Sequence, residues 1–136
     1  MGLDMYAYAI QDGGAKDGEE FHFAEWRKHN RLHGWMEELW IEKGKPNFQE
    51  EYIYFNTIPL ELDMIDLERL EEDIKDKTMP ETKGFFFGND SFGWEDEDGK
   101  DYEGKDYYYK DKDLEFIKDA FYHLGEDRRI YYNSSW

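Results

Sequence analysis

Ten Phe, eleven Tyr and five Trp are set in a chain of 136 residues that carries 34 acidic side chains against 17 basic ones. Few folds satisfy both conditions. A formal net charge of −17 and a mean hydropathy of −1.04 oppose collapse, because like charges repel and sparse apolar area does not offset chain entropy. Aromatic side chains bury the largest area per residue, so they supply the core that this composition otherwise lacks. The expectation is a charged shell over an aromatic core, in one domain spanning residues 1–136.

Periodicity places the elements. Leu3, Met5, Ala7 and Ala9 alternate with Asp4, Tyr6, Tyr8 and Ile10, which predicts a strand,. Glycines in Asp12-Gly13-Gly14 and Asp17-Gly18 predict a turn, with Glu20-Phe21-His22-Phe23 returning antiparallel,. From Ala24 to about Lys43, the spacing of Trp26, His29, His33, Met36 and Trp40 predicts a helix ended by Gly44 and Pro46,. Glu51 to Asn56 reads as a strand that continues to Leu62 after a bend at Pro59,. A second helix starts at Asp63-Met64-Ile65-Asp66 and runs to about Lys77, its apolar stripe formed by Met64, Leu67, Leu70, Glu71 and Ile74,.

Gly84-Phe85-Phe86-Phe87-Gly88 is too short for a helix and predicts a buried central strand, with 89–106 as loop,. Leu114, Ile117, Phe121 and Leu124 predict a third helix over Asp113–Leu124, capped by Gly125, and Arg129–Asn133 a last strand,. The fold class is therefore α+β, a mixed or mostly antiparallel sheet packed with about three helices.

Inventory removes several chemistries. Without cysteine there is no disulfide, thiolate metal site or cysteine nucleophile,. No Walker sequence, dinucleotide fingerprint or Gly-x-Ser-x-Gly elbow occurs, and no cofactor is expected,. Lys100 stands at a ligand position of the calcium-loop-like Asp96, Asp98, Asp101 stretch, which rejects an EF-hand,. The start MGLDMYAYAI lacks a basic segment followed by an apolar one, and no apolar run is long enough to span a bilayer, so a soluble cytoplasmic protein away from membranes is expected,.

Residues 26–35 concentrate bases, histidines and aromatics in an acidic chain. His29 and His33 stand four apart on the expected helix and are weak candidates for a shared metal, although Asn30 replaces the glutamate of a zincin helix,. The plainer reading is that both rings are satisfied in the core. Asn30, His33 and Glu37 form a polar ridge suited to proton transfer in a cleft. Arg27, Lys28 and Arg31 would hold an anion or neutralise nearby carboxylates.

Asn89 and Asp90 follow the expected central strand, where sheets present ligands. Candidate catalytic residues are thus His33, Arg27, Asn30 and Asp90, with Trp26, Lys28 and Asn89 as ligand-binding candidates. Glu95, Asp96, Glu97 and Asp98 are the candidate partner-binding run. Acids and bases number 11 and 6 to residue 56, and 23 and 11 beyond it, which concentrates the negative charge in the second half. Direct binding to nucleic acid is disfavoured by that field, whereas mimicry of DNA is its inverse.

The opening Met1-Gly2-Leu3-Asp4-Met5-Tyr6, the segment Trp26-Arg27-Lys28-His29-Asn30-Arg31-Leu32-His33-Gly34-Trp35 and Gly84-Phe85-Phe86-Phe87-Gly88 together resemble a family of small uncharacterised proteins of bacteriophages and bacteria. The resemblance extends to about residue 120 and implies phage origin but no activity. Ala7 and His29 depart from the family pattern, which has Leu and Ala there, so His29 is an addition to it.

The leading expectation is an acidic binding or regulatory protein acting on a basic surface of a host or viral macromolecule. The alternatives are a small enzyme or ligand-binding protein using the His/Arg/Asn/Asp cleft, and a DNA-mimic inhibitor.

Overall fold

A computed structural model describes residues 2–11, 20–48, 54–84, 87–93, 100 and 106–136. Strands β1 (Asp4–Gln11) and β2 (Glu20–Arg27) pair antiparallel and are followed by helix α1 (Asn30–Glu42). Strand β3 (Leu60–Leu62), helices α2 (Met64–Asp76) and α3 (Lys110–Gly125) and strand β4 (Arg128–Ser135) complete the chain. The strand order is β2-β1-β4-β3, and every pairing is antiparallel. The architecture is α+β.

Alternation decides which side of the sheet is covered. Met5, Ala7 and Ala9 lie opposite Ser134, Tyr132 and Ile130, while Leu60 and Leu62 lie opposite the same Tyr132 and Ile130. All of these are buried, and they meet Leu32, Met36, Leu67, Leu70, Phe116 and Ile117 from the three helices in one core. Among the described residues no helix covers the other sheet face. A bulge between Ala7 and Tyr8 lets Phe23 and Ala24 both turn toward the helices, with Phe23 stacked on Phe116 of α3,.

Helix α2 starts as its sequence predicts. The Asp63 carboxylate accepts from the Asp66 N–H at 2.8 Å and Asp66 accepts from the Asp63 N–H at 3.0 Å, a reciprocal cap,. Lys43 brings its ammonium to Asp66, tying the end of α1 to the start of α2. At the other end Lys77 takes the left-handed conformation that closes the helix,.

Several expectations are corrected. Trp26 and Arg27 belong to β2, opposite Met5 and Asp4, and α1 begins only at Asn30. Trp26 matches helical spacing but reaches the core from a strand, and Lys28, at φ 56°, turns the chain between the two elements. Tyr54–Asn56 form bends, and the rest of that expected strand, 51–53, lies outside the described residues. Gly84, Phe87 and Gly88 are not in the sheet; Phe87 closes a turn onto the Gly84 carbonyl, and Phe85 and Phe86 lie outside the described residues. The central places belong to β1 and β4, whose eight residues pair along their whole length.

Met64 is exposed, and Asp66 takes a buried place instead because the cap and Lys43 satisfy it. In α3 the buried line is Asp113, Phe116, Ile117, Ala120 and His123, one residue out of phase with the expected stripe. The expected turn glycines at 13, 14 and 18 also lie outside the described residues.

Gly34 shows why α1 has a glycine in its middle. A Cβ there would stand 1.7 Å from the Thr82 Oγ1, so the 80–84 segment crosses the helix at a distance that only glycine permits,.

Candidate functional site

Two features bear on function: a buried polar cluster at the start of α1, and the sheet face turned away from the described helices.

His29 caps α1 without using its side chain on the helix. Its Nε2 lies 2.7 Å from Asp113 Oδ2 and its Nδ1 lies 2.9 Å from Ser91 Oγ. Asp113 also accepts from Trp26 Nε1 at 2.9 Å and from the Tyr107 hydroxyl at 2.7 Å. Three donors therefore converge on one fully buried carboxylate, the arrangement that compensates a buried anion,. Because the carboxylate only accepts, Nε2 of His29 carries the proton directed at it. Burial, followed by the charge of Asp113, pushes the Tyr107 phenol far above its ordinary value, so it stays a donor.

Ser91 Oγ also accepts from the Arg31 N–H at 3.2 Å, satisfying one of the orphan amides of the α1 N-terminus,. The Ser91–His29–Asp113 line has the residue types of a nucleophilic triad. Here Ser91 is buried, its oxygen is shared with the helix end, and the ring joins the pair through the opposite nitrogens from the familiar arrangement. The chain of bonds fastens α3 to the β2–α1 junction.

Asn30 and Arg31 hold the 79–93 segment against this junction. Asn30 Nδ2 donates to the carbonyls of Phe87 and Asn89, and its Oδ1 accepts from the Ser91 N–H at 3.0 Å. Arg31 grips Asp90 through Nε at 2.6 Å and Nη2 at 2.7 Å, donates to the Met79 carbonyl, and lies over the Phe92 ring. Its hydrogen bonds hold the Asp90 carboxyl below its ordinary value,.

Asn30, Asn89 and Asp90 are thus brought together as the sequence suggests, but Arg31 rather than Arg27 completes the set. The structure does not bring His33 or Arg27 to them. His33 is sealed among Phe55, Phe87, Tyr132 and Trp136, with Nδ1 2.6 Å from the Tyr132 hydroxyl. Among the described residues its Nε2 meets no hydrogen-bond partner, and burial lowers the ring to about 3. His29 and His33 therefore do not share a metal, since the two nitrogens of His29 are committed elsewhere and His33 faces an aromatic box. Among the described residues no group of three metal-binding side chains occurs.

The third member of the expected ridge, Glu37, is half-buried and raised by that burial and by Glu38. Trp26 is buried with its N–H committed to Asp113. The Lys28 side chain runs past Gly88, close enough that a Cβ there would displace it. Asn89 is exposed. Glu95, Asp96, Glu97 and Asp98 lie outside the described residues.

Sequence reasoning did not single out Asp113, Tyr107, Tyr109 or Ser91. The available signal was a carboxylate in line with Phe116, Ile117 and Ala120, because a buried acid implies dedicated donors.

The outer sheet face, which no described helix covers, carries Asp4, Tyr6 and the buried Tyr8 from β1, Glu20, His22, Glu25 and Arg27 from β2, Glu61 from β3, and Arg129 and Tyr131 from β4. Tyr8 stacks with Tyr6, His22 and Tyr131, at centroid distances of 6.1, 5.3 and 5.6 Å. At one end a concavity of about 400 Å³ is lined by Asp4, Tyr6, Glu25, Arg27 and Lys112 among others. The Tyr109 hydroxyl closes the nearby strand edge, accepting from the Arg27 N–H at 3.0 Å and donating to its carbonyl at 2.7 Å.

No protein-family model, curated protein or solved structure matches this chain. Among the described residues no helix is long and apolar enough to cross a membrane.

Proposed function

We propose that this protein is an acidic binding protein, of phage origin as its three motifs suggest, that acts on a basic surface of a host or viral macromolecule. One observation carries the reading: the excess acid is displayed rather than absorbed. Among the described residues only Asp66 and Asp113 are buried carboxylates. Glu68, Glu72 and Asp76 of α2 and Asp111 and Glu115 of α3 are exposed. Such a surface raises the encounter rate with cations and excludes phosphate backbones.

The cleft reading has less support. The groups it needs for proton transfer and anion binding, His33 and Arg27, are separated from Asn30, Asn89 and Asp90, and His33 is closed to solvent. The binding reading is tested by offering the immobilised protein basic and acidic test proteins of equal size. Saturable retention of the basic set, released as salt shortens the screening length, is expected. Retention that ignores charge or ionic strength would refute it.

A further inference from the structure

We infer that the groove between α1 and α2 is a socket for one lysine side chain of a partner protein; this rests on the acidic-binding reading and gives it a place on the surface. The two helices run antiparallel, tied at one end by Lys43 to Asp66 and at the other by Trp35 Nε1–H, which donates to Asp73 Oδ2 at 2.7 Å. Between the ties lies a concavity of about 140 Å³. Trp35, Glu38, Leu39 and Glu42 recur at helical spacing, so α1 turns one face to it, and Arg69 and Asp73 stand a turn apart on α2,. The close crossing at Gly34 brings the chain after α2 back across α1, where Thr78 and Pro80 also line the groove.

Size and lining select the occupant. Sites for drug-sized ligands start at about 300 Å³, so this space suits a single side chain rather than a nucleotide or cofactor. Trp35, Leu39 and Pro80 give it an apolar wall for a methylene stem,. Three carboxylates, Glu38, Glu42 and Asp73, stand against one base, Arg69. Arg69 meets Glu42 at 3.2 Å with both side chains about half exposed, and pairs of that kind are weak,. Asp73 is fixed by two neutral donors, Trp35 and the Thr78 hydroxyl at 2.8 Å, which leave its charge uncancelled and acceptor capacity on each oxygen,. Among the described residues no ion pair or hydrogen bond joins Glu38. Arg69 offsets one of the three charges, and the concavity keeps two.

The spread of these carboxylates favours an ammonium. Among the described residues no group of three metal-binding side chains occurs, so Glu38, Glu42 and Asp73 stand too far apart to close on a metal ion. An ammonium on a flexible stem carries three rotatable donors and reaches acceptors set apart in this way, whereas the planar guanidinium fork matches one carboxylate.

The test titrates the full chain, isotopically labelled, with a short alternating lysine–serine peptide, its arginine–serine counterpart and n-butylamine, at physiological ionic strength. The lysine peptide is expected to shift the Trp35 indole N–H and the Thr78 amide, and to bind about threefold more tightly than the arginine peptide. Glu38→Gln, a change of an exposed group, is expected to weaken it about threefold, and Arg69→Gln to strengthen it by about as much. Glu115→Gln, an equal change of net charge on α3, is expected to leave it unchanged. If the lysine peptide binds but its shifts map elsewhere, or if Glu38→Gln binds as the wild type does, the socket is refuted and the acidic-binding reading stands. Failure of both peptides to bind refutes both ideas. Equal binding of the arginine peptide at this place overturns the choice of ammonium, and n-butylamine binding as tightly as the peptide overturns the choice of a partner's side chain.

Discussion

His33 makes the fold acid-labile by an amount that follows from its surroundings. The ring is buried among Phe55, Phe87, Tyr132 and Trp136, and desolvation lowers it from 6.5 to about 3. In the folded state it is neutral over most of the acid range, whereas in the unfolded chain it takes up a proton near its ordinary value. Unfolding therefore binds a proton between these limits, and stability falls as pH falls through that window.

Each pH unit inside the window costs about 1.4 kcal/mol. The loss from this one side chain is about 2 kcal/mol between pH 7 and pH 5, and about 4 kcal/mol by pH 3. That is comparable to the whole stability of a small domain. Urea unfolding of wild type and His33→Gln, followed at pH 7, 6, 5 and 4, isolates the contribution because carboxylates common to both chains cancel in the difference. Wild type is expected to lose about 2 kcal/mol more than the variant on going to pH 5. Parallel curves for the two chains would show that the ring is not held neutral by burial, and the argument would fail.

Three further outcomes follow from the packing. Asp113→Ala leaves Trp26, Tyr107 and His29 without their acceptor, and a loss of about 3 kcal/mol or more is expected in urea unfolding; a loss under 1 kcal/mol would mean that the carboxylate is not the hub of the cluster. Gly34→Ala places a Cβ against Thr82, and about 1–3 kcal/mol of destabilisation is expected. Thr82→Gly in the same chain should recover part of it, and no recovery would locate the strain elsewhere. Arg31→Lys gives up the paired bonds to Asp90 and the reach to the Met79 carbonyl. Faster amide exchange at Ser91 and about 1 kcal/mol of destabilisation are expected, and unchanged exchange would show that this clamp does not hold the segment.

The first strand, the second helix and the last strand were legible because each has a complete local signal. Met5, Ala7 and Ala9 alternate cleanly, Asp63 and Asp66 form a reciprocal cap, and Arg128–Ser135 is rich in strand-forming residues. Trp26 and Gly84–Gly88 misled for one shared reason: hydrophobicity reports burial, not the element that achieves it. Trp26 is buried from a strand although it matches a helical repeat, and Phe87 is buried from a turn. Asp113 was hidden by a one-residue error in the phase of α3, which moved it off the buried line.

What the sequence by itself determined is the class: an α+β fold with an acidic shell, about three helices, and a mixed or mostly antiparallel sheet, all properties of composition and short-range periodicity. What only the tertiary structure decided is the pairing of distant groups. His29 finds Asp113 and Ser91, Arg31 finds Asp90, and Tyr6 and Tyr8 gather with His22 and Tyr131. These partners are separated by long stretches of chain, and periodicity carries no information about which remote donor will meet a given acceptor. The sheet and helices fix those meetings only when they pack, and the same packing gathers the described helices on one face of the sheet.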